Sequence, residues 1–261
     1  MIQAGSAAEA RSSAELILYM AVSLENQVVL VLGASSGMGR ATAKLFAKEG
    51  AQVVAAARRE DRLRQLEMEI KAEGGIIAIH VADASQPDEM STLAEEIRKR
   101  FAKIDVLVYA SGTNTPERSL ERLRPEIWDE LVRVNLNGAY YATQAVLPHM
   151  RQRGAGHLIY ISSISGLLPD VSGAAYQAAK RGLVGFAHAI RVEERERGIR
   201  TCVVCPGLVD TEILEKRPVK PTSETLAKAL QAEDVAELIV SIAKMHPRVA
   251  IPEVQILPTV L

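Results

Sequence analysis

The sequence contains only two cysteines and has almost no net charge. Two thiols, Cys202 and Cys205, make no disulfide framework of the kind found in small secreted proteins. A net charge of −1 leaves no basic surface for nucleic acid or an anionic membrane. No apolar run approaches the ~20 residues that a membrane-spanning helix needs. These absences argue against nucleic-acid-binding, membrane-spanning and disulfide-stabilised proteins, and they predict a cytoplasmic protein.

The cysteines and histidines show no spacing typical of a redox or metal site. Cys202 and Cys205 form a C-x-x-C, but they lie in a strand-like run where an odd offset of three places them on opposite faces. We interpret them as buried structural thiols. The histidines are scattered along the chain without ligand spacing, so we predict no metal. They are His80, His149, His157, His188 and His246.

Composition and length are those of an ordinary globular protein. The hydrophobic fraction is 48% and the charged fraction is 24% of 261 residues, enough for one large α/β domain or two small ones. Residues 1–22 lack the basic start and long apolar core of a signal peptide. We predict a flexible extension there, with a short helix around Glu15 to Met20, and one folded domain over 23–261. Met20 is an alternative first residue.

From Gln27 onward, apolar runs of strand length alternate with segments of helix length. The run 28–32 is continuously apolar, as expected of a strand buried on both faces of a parallel sheet. The alternation predicts a doubly wound (Rossmann) α/β domain with a parallel sheet of about seven strands. Predicted strands cover residues 28–32, 52–57, 76–82, 105–110, 157–163, 200–205 and 249–257. Predicted helices cover residues 37–49, 60–73, 87–102, 125–151, 173–197, 223–230 and 233–245.

A glycine-containing turn follows the first predicted strand and leads directly into a helix. Strand, glycine turn and helix in this order let backbone amides and the positive helix end approach a pyrophosphate. The spacing is G-x-x-x-G-x-G rather than G-x-G-x-x-G, and a tight turn without a ligand is the alternative. We predict that the turn binds phosphate through Gly33, Ser35, Ser36, Gly37, Met38 and Gly39.

Two arginines, Arg58 and Arg59, follow the second predicted strand. In NAD-binding domains an acidic residue in this neighbourhood accepts hydrogen bonds from the ribose hydroxyls. Guanidinium groups instead bind a phosphate well, so the sequence predicts NADP (NADPH) as the cofactor. Arginines on a solvated helix start are the alternative. Asp83, at the end of the third strand, is predicted to accept a hydrogen bond from the adenine amino group, with an ordinary turn residue as the other interpretation.

Tyr176 and Lys180 lie four positions apart in a predicted helix, so their side chains project from the same face. An unperturbed phenol has a pKa of about 10 and is a poor proton donor at neutral pH. A nearby ammonium stabilises the phenolate, so Lys180 is predicted to lower the pKa of Tyr176. Such a phenol suits acid–base catalysis at a carbonyl or alcohol, although the same pair also arises by chance in ordinary helices.

With these motifs in order, the chain resembles the short-chain dehydrogenase/reductase family over about residues 24–261. The resemblance depends on the glycine turn, a strand-end aspartate, a helical asparagine, a serine thirteen residues before the tyrosine, the Tyr–Lys pair and a Pro–Gly sequence followed by threonine. In this chain the matching residues are Gly33, Gly37, Gly39, Asp83, Asn135, Ser163, Tyr176, Lys180, Pro206, Gly207 and Thr211. The resemblance implies oxidation or reduction at a carbonyl or carbinol carbon with NAD(P).

The resemblance also implies a role for the residues near the reacting carbon. Tyr176 would be the general acid in reduction and the base in oxidation. Lys180 would hold the nicotinamide ribose hydroxyls and depress the pKa of the phenol. Ser163, favoured over Ser162 and Ser165 by its spacing from Tyr176, would hydrogen-bond the substrate oxygen.

Two further segments have implied roles. Asn135 would hold a water that links Lys180 to solvent as a proton relay. The segment 206–211 would hold the nicotinamide carboxamide through the Val209 backbone and the Thr211 hydroxyl.

The sequence departs from the family pattern at two places. Where the family usually has Asn-Asn-Ala-Gly after the fourth strand, this chain has Tyr109-Ala110-Ser111-Gly112. Leu32 stands where the family usually has threonine. We hypothesise that a polar tie between these strands is replaced by apolar packing of Leu32.

The segment 212–222 is expected to cover the substrate, and its short length with two prolines predicts a small pocket. Its lysines or an arginine would pair with a substrate carboxylate, or they form a solvated charged loop. The chain lacks the Gly-Gly tail typical of family members that reduce 3-oxoacyl groups on acyl carrier protein. Its ending resembles the NADP-dependent 3-hydroxy acid or serine dehydrogenase branch. Helices 125–151 and 173–197 commonly pair across a two-fold in the family, which implies a homodimer or homotetramer.

Three functions compete for this sequence. The leading one is an NADP-dependent oxidoreductase acting on a small, polar molecule, with a 3-oxoacyl thioester reductase as an alternative within the family. A non-catalytic nucleotide-sensing protein would need no complete set of Asn135, Ser163, Tyr176 and Lys180. A methyltransferase uses a similar sheet, but Arg58 favours a phosphate over S-adenosylmethionine.

Overall fold

The computed structural model describes residues 22–260, so the helix expected around Glu15 to Met20 lies outside the described residues. These residues form one parallel sheet of seven strands, as the sequence predicts. The strands are Val28–Leu32 (β1), Gln52–Ala57 (β2), Ile76–Val81 (β3), Val106–Tyr109 (β4), Gly156–Ile161 (β5), Ile199–Pro206 (β6) and Glu253–Ile256 (β7). Their order in the sheet is β3-β2-β1-β4-β5-β6-β7.

Helices connect the strands on both faces of the sheet. The α-helices are Gly37–Lys48 (α1), Glu60–Ala72 (α2), Pro87–Phe101 (α3), Pro125–Val132 (α4), Gly138–Arg153 (α5), Ala174–Glu194 (α6), Ser223–Lys228 (α7) and Ala232–Ala243 (α8). Short 3₁₀ turns are Ile164–Gly166, Arg195–Arg197 and Glu212–Lys216. Between residues 22 and 260, no helix is long and apolar enough to cross a membrane.

The central strands bury side chains on both faces because successive residues of a strand point in opposite directions. Leu30 and Leu32 pack with α3, α5 and α6 on one face. Val29 and Val31 pack with α1, α2 and α8 on the other. The two cysteines follow the same rule, with Cys205 in the first core and Cys202 in the second. Their predicted placement on opposite faces is confirmed, and burial raises the pKa of both thiols.

The helix predicted over 125–151 is interrupted by a π-helix, Arg133–Asn137, between α4 and α5. Two side chains donate hydrogen bonds to backbone carbonyls in this region. Tyr109 donates its hydroxyl hydrogen to the Val134 carbonyl at 2.6 Å, and the Asn135 amide donates to the Leu131 carbonyl at 2.9 Å. Single π turns inside α-helices frequently occur at functional sites, and this one holds a predicted site residue.

The two departures from the family pattern lie side by side. Leu32 on β1 and Tyr109 on β4 are paired across the parallel ladder. Both side chains are fully buried in the same core. This contact supports the hypothesis that Leu32 contributes apolar packing here. A polar tie nevertheless persists, because the Tyr109 hydroxyl links its strand to the π-helix at Val134.

Replacing Leu32 by threonine is expected to lower the free energy of unfolding by about 2–4 kcal/mol, since the change removes packed methyl groups and buries a hydroxyl. Leu32→Val is the matched control, because it shortens the side chain without adding a polar group, and it should cost about 1 kcal/mol. Denaturant unfolding of both variants measures the difference. A gain in stability for Leu32→Thr would contradict the packing hypothesis.

The sheet places the predicted site residues at one edge. All seven strands are parallel, so the loops after β1, β4, β5 and β6 leave from the same side. The strand order reverses between β1 and β4, and in open parallel sheets ligands bind in the crevice at such a switch point.

Candidate active site

The glycine turn lies against the loop that follows β4. Gly33 has a φ of +83°, and a Cβ there would lie 2.7 Å from the Ser111 backbone nitrogen. A Cβ at Gly39 would lie 2.4 Å from the Gly33 carbonyl oxygen. Any side chain at these positions would clash with the backbone. Ser36 precedes α1 but its side chain does not cap the helix, so the first amides of α1 remain free to approach an anion.

Arg59 is tied to this turn by its guanidinium group. It donates to the hydroxyls of Ser35 at 3.1 Å and Ser36 at 2.6 Å. Arg58 is more exposed, and its nearest carboxylate oxygen, on Asp83, is 3.9 Å away. Arg59 therefore lies beside the glycine turn, while Arg58 lies farther out on the rim.

Glu212 bridges Arg59 and Arg62, at 2.8 and 2.9 Å. Sequence reasoning missed both Glu212 and Arg62 at this place. Arg62 lies one helical turn after Arg59, which is the one local signal that could have indicated it. Glu212 begins a 3₁₀ turn distant in sequence, so only the fold brings it here.

Asp83 forms a turn at the end of β3. Its Oδ1 atom accepts hydrogen bonds from the backbone amide and the hydroxyl of Ser85, at 2.9 and 2.7 Å. Burial opposes ionisation, but these hydrogen bonds and the charge of Arg58 hold the pKa of Asp83 below its usual value. The turn-residue interpretation therefore describes its contacts, and the carboxylate still lines the cavity beside the turn.

Two neighbouring cavities contain nearly all of the predicted site. The larger, about 340 Å³, extends from the arginines across the glycine turn to α6. Its lining includes Gly33, Ser35, Ser36, Gly37, Met38, Gly39, Arg58, Arg59, Asp83, Tyr176, Lys180 and Thr211. The smaller, about 120 Å³, includes Ser163, Tyr176, Pro206, Gly207, Val209 and Thr211. Asn135 is buried behind them, in the π-helix.

Lys180 is buried one helical turn from Tyr176 on α6. Its Nζ atom lies 5.7 Å from the centroid of the Tyr176 ring and donates to the Ile161 carbonyl at 2.9 Å. Burial lowers the pKa of Lys180 to about 8. The amine thus lies between the end of β5 and the phenol ring.

The phenol does not have the lowered pKa that the Tyr–Lys pair predicts. Burial raises the pKa of Tyr176 to about 12. A hydrogen bond with Ser163 acts in the lowering direction, Asp170 raises the pKa again, and Arg118 and Arg217 lower it. The prediction was wrong in direction because it considered the nearby charge and not the loss of solvation on burial.

The three serines after β5 differ in the groups that they contact. The Ser162 hydroxyl donates to the Lys180 carbonyl at 3.0 Å, and the Ser165 hydroxyl donates to Asp170. Ser163 is half-buried, and its hydroxyl donates to the Ser165 hydroxyl at 3.1 Å and accepts the Ser165 amide at 3.2 Å. A hydrogen bond with Ser163 also lowers the pKa of the Tyr176 phenol. The geometry therefore brings Ser163, rather than the other two, to the tyrosine that the sequence spacing indicates.

Asn135 holds the loop after β4 against the π-helix. Its amide donates to the carbonyls of Thr113 and Leu131, both at 2.9 Å, and its Oδ1 accepts from the Thr113 amide at 3.1 Å. A Cβ at Gly112 would lie 3.2 Å from this Oδ1 and 3.6 Å from the Lys180 Nζ. The side chain positions the loop beside Lys180, and its predicted water relay stays a prediction.

The smaller cavity also contains Arg118 and Asp170, which sequence reasoning did not assign to it, together with Arg217, the arginine of the segment that was expected to cover the substrate. Arg118 comes from the loop after β4, Asp170 from the loop after β5, and Arg217 from the segment after β6. No local motif marks them, because each lies on an irregular segment and the three meet only through the fold.

Comparisons with known proteins agree with this fold. A family model described as short chain dehydrogenase matches residues 27–221. The 3-oxoacyl-(acyl-carrier-protein) reductase of Thermotoga maritima is 33% identical over 225 residues, which cover 84% of this chain and 91% of that protein.

Solved structures with the same fold include proteins with bound cofactor. A metagenomic short-chain oxidoreductase in complex with NADP is 33% identical, with a TM-score of 0.80 covering 92% of this chain and 100% of that one. A serine dehydrogenase complexed with NADP⁺ in its closed form is 28% identical, with a TM-score of 0.80 covering 88% and 94%.

Proposed function

Because the chain belongs to the short-chain dehydrogenase family, we propose that it interconverts a carbonyl and an alcohol on a small, polar substrate with NADP(H). One observation carries the proposal: Tyr176 lines both the extended cavity along the glycine turn and the smaller cavity that contains Ser163. A proton donor at this junction can serve a reaction between a cofactor in the first cavity and a substrate in the second.

The residues fit a nicotinamide dinucleotide. The glycine turn leaves no room for side chains, and the uncapped start of α1 offers amide donors for a pyrophosphate. When bound, the nicotinamide supplies or accepts a hydride at the reacting carbon. Lys180 would hold the ribose, and the segment after β6 would hold the carboxamide through Val209 and Thr211.

In reduction, the hydroxyls of Ser163 and Tyr176 hydrogen-bond the substrate oxygen, and Tyr176 gives that oxygen its proton. In oxidation, Tyr176 takes the proton back. The ammonium of Lys180 supplies positive charge close to the phenolate that forms, which offsets part of the cost of ionising a buried phenol. Asn135 keeps the neighbouring loop in place and would hold the relay water.

NADP is the proposed cofactor because Arg59 lies beside the turn with its guanidinium directed at Ser35 and Ser36. Guanidinium groups favour the 2′-phosphate that distinguishes NADP from NAD. Two structural relatives, the metagenomic oxidoreductase and the serine dehydrogenase, were solved with NADP or NADP⁺, which supports the same choice.

A 3-oxoacyl thioester reductase is the second candidate, favoured by the identity to the Thermotoga maritima enzyme. A cavity of about 120 Å³ suits a smaller molecule, as does the likeness to a serine dehydrogenase. The test is NADPH or NADH oxidation with small ketones, aldehydes, oxo acids and a 3-oxoacyl thioester. Turnover confined to the thioester would replace the first candidate by the second, and turnover of none of them would overturn both.

The rate of reduction should fall as the pH rises above about 8, because burial lowers the pKa of Lys180 to about 8. Above that pH the amine is neutral and no longer stabilises the phenolate, so log kcat/KM should decline toward a slope of about −1. The Lys180→Arg variant keeps the positive charge at higher pH, so its kcat/KM should not show this decline. A wild-type profile that stays flat well above pH 8 would contradict the assignment.

We also infer a homodimer or homotetramer built on the helices that the sequence indicates. Trp128 on α4, Tyr140 on α5 and Val192 on α6 are large apolar or aromatic side chains with exposed fractions of 38%, 45% and 57%. Burial of these side chains against a second copy would stabilise such an assembly.

A further inference from the structure

The smaller cavity has an excess of positive charge next to the predicted proton donor. Arg118 and Arg217 line it together with Ser163 and Tyr176. Both guanidinium groups act electrostatically on the phenol of Tyr176. Asp170 is the one carboxylate in the described lining of this cavity. Whether Asp170 neutralises the two arginines decides what kind of ligand the cavity suits.

The Asp170 carboxylate accepts hydrogen bonds from residues of its own loop. Its Oδ1 atom accepts the Ser172 amide at 2.8 Å, and its Oδ2 atom accepts the hydroxyls of Ser165 and of Ser172. These bonds hold the loop between β5 and α6. Asp170 acts electrostatically on Arg118. Between residues 22 and 260, however, it forms no ion pair within 4 Å of either arginine, so neither guanidinium group has a bonded counter-ion in the cavity.

Arg118 is held in place by neutral groups. Its Nε atom donates to the Thr115 carbonyl at 2.8 Å, and one terminal nitrogen donates to the Lys216 carbonyl at 3.2 Å. Gly173, with a φ of +95°, lets the two loops approach, since a Cβ there would lie 2.9 Å from the Arg118 Cβ. The guanidinium is positioned by backbone carbonyls and keeps donors for another partner.

Arg217 differs from the other charged residues of its segment. Lys216 donates to the Thr113 hydroxyl, Lys220 pairs with Glu215, and Glu212 pairs with two arginines. In the part of the chain that the structure describes, no side chain pairs with Arg217. Burial and then the charge of Arg217 lower the pKa of Arg118, and the opposing effects of Tyr176 and Asp170 are smaller, so the two like charges are held close together.

We propose that Arg118 and Arg217 form an anion-binding subsite and that the substrate is a small oxo acid or hydroxy acid whose carboxylate lies there. The proposal rests on the proposed function and names its substrate class. A planar guanidinium matches the two oxygens of a carboxylate. The cavity of about 120 Å³ limits the molecule to a few carbons between the carboxylate and the carbonyl near Ser163.

The test compares a 3-oxo acid with its primary amide, which has the same shape without the charge. We expect the wild type to prefer the acid in kcat/KM, and Arg217→Gln to lower kcat/KM for the acid about ten- to a hundredfold with little change for the amide. Lys220→Gln is the matched control, because Lys220 lies on the same segment, pairs with Glu215 and does not line the cavity. It should leave both substrates unaffected.

Equal use of acid and amide by the wild type, or an equal loss of both in Arg217→Gln, would overturn the subsite. A binding measurement separates this failure from failure of the proposed function. Calorimetry of malonate and malonamide, with NADP present, should show tighter binding of malonate that Arg217→Gln weakens, whether or not any carbonyl turns over. If neutral ketones turn over and malonate does not bind, the subsite is wrong and the proposed function stands.

Discussion

Replacing Tyr176 by phenylalanine is expected to lower kcat by about 10²–10⁴-fold, the range that a positioned general acid contributes. The phenol hydroxyl is the group that bonds with Ser163 at the junction of the two cavities. Phenylalanine fills the same buried volume, so cofactor binding should change little. Steady-state kinetics with NADPH, together with a fluorescence titration of NADPH binding, measure the two effects separately.

Tyr160→Phe is the matched control for this experiment. Tyr160 is also buried, and its hydroxyl bonds with that of Thr143 at 2.6 Å, within the core that α5 and α6 share. Removing it should cost about 1 kcal/mol of stability and leave kcat nearly unchanged. A Tyr176→Phe variant that retained most of its turnover would contradict the catalytic assignment of Tyr176. That result would favour the non-catalytic nucleotide-sensing alternative.

Removing both Arg58 and Arg59 is expected to abolish the preference for NADPH. Each charge-assisted contact with the 2′-phosphate is worth about 1.5–3 kcal/mol, so KM for NADPH should rise at least about 100-fold while KM for NADH changes little. Of the two single variants, Arg59→Ala should raise KM for NADPH more than Arg58→Ala does, because Ser35 and Ser36 hold the Arg59 guanidinium beside the turn. Arg58 has a side chain that is 65% exposed.

Arg64→Ala is the control for the arginine variants, since Arg64 lies on α2, directly after Arg58 and Arg59, and pairs with Glu60 outside the cavity. The Glu212→Gln variant should change NADPH affinity in the opposite direction. Its carboxylate already bridges Arg59 and Arg62, so a 2′-phosphate must compete with it, and the variant should bind NADPH more tightly. An equal loss of NADPH and NADH affinity in the arginine variants would contradict the assignment of phosphate recognition.

Much of the fold was predictable because its signals are local. The apolar run 28–32 and the alternation of strands with helices lead to the parallel sheet. Gly50 and Gly74 end their helices with positive φ, as glycines at such positions commonly do. The predicted last strand over 249–257 was too long, since β7 covers only Glu253–Ile256. Apolar residues alone do not show where the ladder to β6 ends.

The π-helix at Arg133–Asn137 was not predictable in the same way. It coincides with a hydrogen bond from the Tyr109 hydroxyl to the Val134 carbonyl, a contact between residues 25 positions apart. The sequence pattern through this region is that of a continuous helix, and no local propensity distinguishes a π-helix from an α-helix here. The pKa of Tyr176 was mispredicted for a related reason, because desolvation depends on how the whole fold covers the side chain.

The sequence by itself determined the sheet, the glycine turn, the family and the residue types that meet at the strand ends. These follow from side-chain periodicity and from short spacings along the chain, which act over a few residues. Only the tertiary structure decided that Arg118, Asp170 and Arg217 share one cavity and that Arg59, rather than Arg58, is tied to the turn. Their charges act through space, and distance in space between loops is set by packing rather than by position along the chain.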